Sequence, residues 1–223
     1  MIALAALAVA GTVCLTSPTS RAGLPPSGSR LPFGIASRAA ADTLHQRLFD
    51  SGQTFADFVA GARNRKEQWE RHFATAVVPD ELVTRVTQAG GPWKLLVVTL
   101  DGCSDSVNSV PYIAAMLAKT PNVEVRLVTS SVGRAIMEAH RTPDGRAATP
   151  TLVLLDSTYA ERGCWIERPE ALRTFMQEHK ARSGDSGLFD AKMKWYEEEK
   201  GSQSIVEIVE MIEAAARNEL RCS

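Results

Sequence analysis

The sequence predicts an α/β fold: a central mixed sheet of about four strands in the order βαβαββα, with extra helices at the N-terminal and C-terminal ends. Three observations carry this reading. An apolar run, Leu95 to Leu100, reads as a buried strand and passes through a short turn into a helical pattern whose Val107, Val110, Ala114 and Leu117 share one face. A second strand follows that helix, and a helical link between strands implies parallel pairing. The last two strand patterns, Thr151 to Leu155 and Gly163 to Ile166, flank only a short turn at Asp156-Ser157, which implies an antiparallel hairpin.

Residues 1–41 are set apart from a single domain at 42–223. Ile2 to Leu15 is apolar, Ser20-Arg21-Ala22 satisfies a small-x-small cleavage rule, and a Pro/Ser/Gly-rich stretch runs to Ser29. A positive n-region is lacking. With no acidic residue before Asp42, and with Arg21, Arg30 and Arg38 present, the segment also fits a transit peptide or an unused upstream start. The apolar run is shorter than the roughly 20 residues of a membrane helix, so no stable membrane span is expected.

Within the domain, helical spacing recurs from Asp42 to Gly61 and from Arg63 to Ala76. A third short helix opens at Pro79-Asp80-Glu81 and stops at Gly90-Gly91-Pro92. After the helix that follows the first strand, Pro121-Asn122 turns into a strand in which Val123, Val125 and Leu127 alternate with Glu124 and Arg126. A helix from Val132 to His140 and a turn at Thr142-Pro143-Asp144-Gly145 lead to the third strand. Closing helices are expected at Glu170 to Arg182 and at Leu188 to Lys200. The last opens with Ser204-Ile205-Val206-Glu207 as a capping box. Its stripe is Ile205, Ile208, Val209, Ile212 and Ala216, which leaves Glu207, Glu210 and Glu213 on a solvated face.

Charge excludes one class of function. Twenty-five Lys plus Arg against twenty-six Asp plus Glu leave a net charge of −1, with no basic stripe for a nucleic acid. The four cysteines, Cys14, Cys103, Cys164 and Cys222, form no Cys-x-x-Cys pair, and no His is spaced for zinc, so no metal is expected. Removing the first segment would leave three cysteines, an odd number that favours a reducing, cytoplasmic setting; a genuine targeting segment over residues 1–22 would instead mean export or an organelle. Cys164 reads as an ordinary buried residue, Cys222 as part of a flexible tail, and His72 and His140 as surface or satisfied core positions.

Cys103 is the main candidate for chemistry. It lies in Asp101-Gly102-Cys103-Ser104-Asp105-Ser106, at the turn from strand to helix. Unpaired N–H groups and aligned peptide dipoles at a helix N-terminus favour negative charge, and so the reactive thiolate. Asp101 and Asp105 act in the opposite sense, and a small apolar role in the turn is the plain alternative. Position alone leaves both readings open.

Four local features resemble the thioredoxin superfamily, and within it bacterial thioredoxin-like proteins with a Cys-Gly-Asp-Ser type of motif. They are Cys103-Ser104-Asp105-Ser106, Pro111 in the next helix, Thr149-Pro150-Thr151 before the third strand, and Gly163-x-Trp165 running to Arg168-Pro169. Lys194-Trp195-Tyr196-Glu197 in the C-terminal flank is similar to that subgroup too. The resemblance implies a thioredoxin-like fold in which Cys103 is the nucleophile and Pro150 follows a cis bond. Ser104, Asp105, Thr149 and Pro150 would then shape the substrate groove. Ser106 stands in place of a resolving cysteine and could donate a hydrogen bond to the thiolate. Gly102 replaces the usual aromatic residue, and Val97 the buried acid that assists proton transfer. Implied partners are protein disulfides or thiols and a thiol reductant, with no cofactor beyond glutathione or a similar low-molecular-weight thiol as co-substrate. The alternative is a redox-inactive module that holds an extended partner segment beside Pro150.

Overall fold

The computed structural model describes residues 33–223, with side chains from Ala41 onward. The expectations for Cys14 and for a targeting segment lie outside the described residues. Four helices, α1 (Phe33–Asp50), α2 (Phe55–Gly61), α3 (Lys66–Ala74) and α4 (Asp80–Gln88), precede strand β1 (Trp93–Thr99). Helix α1 runs across the boundary drawn after residue 41. Then come α5 (Ser104–Leu117), β2 (Val123–Thr129), α6 (Arg134–Ala139), β3 (Thr151–Leu155), β4 (Glu161–Ile166) and α7 (Glu170–Ser183), which complete the βαβαββα core. Helices α8 (Leu188–Glu199) and α9 (Ser202–Ala216) and a two-residue strand β5 (Arg221–Cys222) close the chain.

The sheet order is β2-β1-β3-β4-β5. β1 pairs in parallel with β2 and antiparallel with β3, and β3 pairs antiparallel with β4, as the connection lengths required. Helices cover both faces, which is why the strands read as near-continuous apolar runs rather than as an alternation. Leu95, Val97, Leu152, Leu154 and Trp165 pack with α5 and α9 residues such as Val110, Ile113, Ile208 and Ile212. Leu96, Val98, Val153 and Leu155 face the other way, against Leu48 and Phe49 of α1 and Ile136 and Met137 of α6. Trp69, Trp93 and Trp165 are buried, whereas Trp195 is half-buried.

The expectations for the cysteines and for the last helix are corrected. The sheet has a fifth strand among the described residues, because Gly163 and Cys164 pair with Arg221 and Cys222. That pairing brings the two cysteines to a Cα separation of 4.3 Å, and they form a disulfide. Cys164 is thus not a free core residue, Cys222 is not in a loose tail, and the odd-cysteine argument for a reducing compartment no longer holds. Ser204 does not cap α9: the cap position is Gly201, and Ser204 is buried one turn in. Glu207 is buried as well. It accepts a 2.6 Å hydrogen bond from Trp165 Nε1 and a 2.8 Å one from the Glu170 amide, so it satisfies the free N-terminus of α7 instead of facing water.

Gly201 has a structural reason. Its φ is 77°, and a Cβ there would lie 2.3 Å from Tyr112 Cγ, so only glycine lets the α8–α9 turn pack on α5.

Pro111 leaves one carbonyl of α5 without its helical donor. Proline has no N–H, so Val107 O lacks the usual partner four residues on. His72 of α3 supplies it through Nδ1 at 2.8 Å, with its ring stacked on Tyr112. His72→Ala should therefore cost about 1–3 kcal/mol in urea denaturation, the range for stranding a buried acceptor. Burial chiefly, and the neighbouring Arg71 charge, push the His72 pKa below 6.5 against the opposing pull of the Val107 bond. The unfolded chain then binds more protons, so His72's stabilisation is complete above its ordinary pKa and is lost as pH falls through the lowered one. An unchanged midpoint in the variant at neutral pH would remove His72 from this role.

Candidate functional site

Cys103 caps α5. Its backbone is extended at φ −74° and ψ 127°, and helical geometry starts at Ser104. The first turn of α5 thus places its unpaired amides beside the thiol. Cys103 is half-buried and is the free cysteine among the described residues. Its Sγ lies 3.2 Å from Thr149 O, to which the thiol donates. The Thr149–Pro150 bond is cis. Pro150 O in turn accepts from the Glu167 amide at 2.7 Å, which ties this loop to the end of β4.

The segment leading into α3 holds the cysteine turn from below. Asp101 Oδ2 accepts from the Arg63 and Asn64 amides at 2.8 and 2.9 Å, and Asn64 Nδ2 adds a third donor. Trp69 Nε1 donates to Asp101 O at 3.0 Å, and Arg65 Nε to Gly102 O at 3.1 Å. Partial burial works to raise the Asp101 pKa, but the donors from Arg63, Asn64 and the Gly102 amide outweigh it and hold the carboxyl below its usual value. Gly102 lies against Asn64, where a Cβ would sit 3.6 Å from the Asn64 Cβ in ordinary van der Waals contact.

The predicted residues separate into two groups. Cys103, Ser104, Thr149 and Pro150 meet around the sulfur, whereas Asp105 and Ser106 point into the protein. Asp105 does not line the groove. Its carboxylate takes bonds from Tyr196 Oη at 2.8 Å, Lys192 Nζ at 3.1 Å and Arg168 Nη2 at 3.4 Å. Ser106 is fully buried, and its hydroxyl has no hydrogen-bond partner among the described residues, Cys103 included. A hydroxyl bond to the sulfur is therefore absent from this arrangement.

Lys192, Arg168 and Tyr196 went unassigned in the sequence reading. Lys192 Nζ also donates to Ser104 Oγ at 3.0 Å, so a buried ammonium ties α8 to the residue after the cysteine. Burial first, and the Asp105 charge second, hold the Tyr196 phenol well above its ordinary pKa, so it remains a donor. Glu167 pairs with Arg168, and with Arg146 at 3.1 Å, which carries the network to the approach of the cis-proline loop. The signal was partial: Arg168 belongs to the Arg168-Pro169 motif and Tyr196 to the Lys194-Trp195-Tyr196-Glu197 flank, but neither marks its partner.

The Asp105 charge is met by the Lys192 and Arg168 cations, whereas Asp101, held by neutral amide donors, stays a carboxylate beside the turn. A cleft of about 300 Å³ between Gln53, Arg63, Leu100, Asp101 and Thr129 opens beside the turn. A larger apolar groove of about 720 Å³, between α2, α3, α5 and β2, contains none of these residues.

A sequence profile of the thioredoxin family matches residues 52–181, more than half of the chain. Among curated proteins none is significantly similar in sequence. Two solved structures resemble this one. The first is a Pseudomonas aeruginosa protein of unknown function, 21% identical, with a TM-score of 0.58 over 76% of this chain and 97% of that one. The second is an HIV epitope-scaffold, 20% identical, with a TM-score of 0.57 and the same coverage. At such identities the likeness shows the fold alone.

Proposed function

Because this chain belongs to the thioredoxin family, we propose that it carries out monothiol thiol–disulfide exchange through Cys103. The observation that carries this reading is the Cys103 sulfur at the cap of α5, 3.2 Å from the carbonyl of Thr149 beside the cis-proline. The Cys103 thiolate attacks one sulfur of a partner disulfide, forming a mixed disulfide and releasing the other sulfur as a thiolate. With serine at position 106, no thiol one turn on can resolve that bond. A second thiolate from outside, glutathione or a similar small thiol, attacks the mixed disulfide, restores Cys103 and leaves as a new disulfide, so electrons and sulfur atoms balance. Ser104 and Thr149 border the sulfur, Pro150 shapes the loop, and Lys192 and Asp105 act as positioning residues behind it.

Glutathione disulfide supplies the test. Brief incubation should add one glutathione to the chain, mapped to Cys103 by peptide mass spectrometry, and added thiol should remove it. Cys103→Ser should take no label. Modification at Cys164 or Cys222 in its place would displace the site, and an unmodified Cys103 would favour the binding-module reading.

A further inference from the structure

On the sheet face away from α5, groups from α1, α6 and β4 converge. The ligand atoms of His140, Glu161 and Cys164 lie within 4.8 Å of one another. His140 Nε2 is 2.9 Å from Glu161 Oε1, and His45 Nε2 is 4.0 Å from Glu161 Oε2. His45 and Cys164 are buried, with 4% and 1% exposure.

The tautomers follow from the partners. His140 Nδ1 lies 2.9 Å from Ile136 O and His45 Nδ1 lies 3.2 Å from Tyr159 O, and a carbonyl can only accept. Both Nδ1 atoms therefore carry hydrogen. A neutral imidazole so held presents the Nε2 lone pair, and both Nε2 atoms are turned on one carboxylate. Acceptor facing acceptor is relieved by a positive charge between them, either a proton on Nε2, which makes the His140–Glu161 ion pair, or a metal ion. Holding Nδ1–H on a backbone carbonyl is also how metal-ligating histidines are oriented.

We propose that His140, Glu161 and Cys164, with His45 completing the set, form a site for a divalent transition ion of the zinc class, open only when the Cys164–Cys222 disulfide is reduced. The donor set of imidazole nitrogens, carboxylate and thiolate is one that zinc takes. Zn–N distances of about 2.0–2.1 Å and a Zn–S distance of about 2.3 Å put neighbouring ligands of a tetrahedral ion roughly 3.3–3.7 Å apart. The His140, Glu161 and Cys164 atoms, within 4.8 Å of one another, need shifts of about an ångström, and His45 Nε2, 4.0 Å from Glu161, has to move inward with them. In the disulfide the Cys164 sulfur has no charge to offer. Reduction by a phosphine, which takes oxygen from water to become the phosphine oxide, gives two thiols, and metal binding releases the Cys164 proton to solvent. Spacing rules could not find this set because its members come from three separate elements.

Cobalt(II) reports the geometry. The untagged full chain carrying Cys14→Ser and Cys103→Ser, reduced with a phosphine, should bind one equivalent of Co²⁺ with tetrahedral d–d bands and a thiolate-to-cobalt charge-transfer band. Zn²⁺ should displace it. His140→Ala and Glu161→Gln should each weaken binding about tenfold or more, and Cys164→Ser should abolish the charge-transfer band. Adding Cys222→Ser frees Cys164 without reductant, and that chain should bind cobalt directly and show a zinc-dependent rise in Tm. No stoichiometric binding in both the reduced chain and the Cys222→Ser chain would overturn the proposal. Equal binding by the oxidised chain, or a charge-transfer band that survives Cys164→Ser, would also do so.

Discussion

Asp105→Ala is expected to destabilise the protein by about 3–5 kcal/mol, the range for removing one member of a buried ion pair. That is a large share of the roughly 5–15 kcal/mol that holds a domain folded. Asp105 is 6% exposed and Lys192 7%, so solvent cannot replace the carboxylate once it is gone. The Lys192 ammonium would be left beside Arg168 with no anion of its own, and the Tyr196 hydroxyl would lose its 2.8 Å acceptor. Removing both charges should do less harm than removing one, so Lys192→Met added to Asp105→Ala should recover part of the loss. Urea midpoints at unchanged m-value measure both effects. A loss below about 1 kcal/mol, as for an exposed pair, would mean that water reaches the network. Lys192→Met alone should also alter the alkylation rate of Cys103, because it frees Ser104 from its 3.0 Å tie. An unchanged rate would confine Lys192 to a structural part.

What the sequence made legible was contiguous. Strand β1, the turn at Cys103 and the apolar face of α5 lie within 25 residues, from Trp93 to Leu117, and each follows from short-range pattern. Thr149 and Pro150 could be placed at the sulfur through family resemblance, since nothing local links them to a residue 46 positions earlier. The burial of Asp105 was hidden because its partners Lys192 and Tyr196 stand 87 and 91 residues away, on a helix that carries no local sign of a buried carboxylate. Glu207 failed for the same reason: its place on a glutamate-bearing face gave no hint of the Trp165 indole 42 residues back. The disulfide was missed because β5, two residues long, is too short to show any alternation.

Ser106→Cys should change function most. Positions 103 and 106 stand at the cap and third residue of α5, and residues three apart on a helix have Cβ atoms about 5–6 Å apart. Small movements of the first turn bring such a pair to disulfide distance. The site accepts the change: Ser106 is fully buried with an unpartnered hydroxyl, and a thiol there is less costly to keep from water. Once Cys103 is joined to a substrate, the introduced thiol can attack the Cys103 sulfur, release the substrate thiol and leave an internal disulfide across the first turn of α5 for an external dithiol to reduce. Insulin reduction in the presence of a dithiol, slight for the native chain, should rise to a clear multiple of background in Ser106→Cys and return to background when Cys103→Ser is added. Vigorous activity in the native chain that survives loss of Cys164 and Cys222 would show that release needs no second thiol, and the monothiol reading would fall.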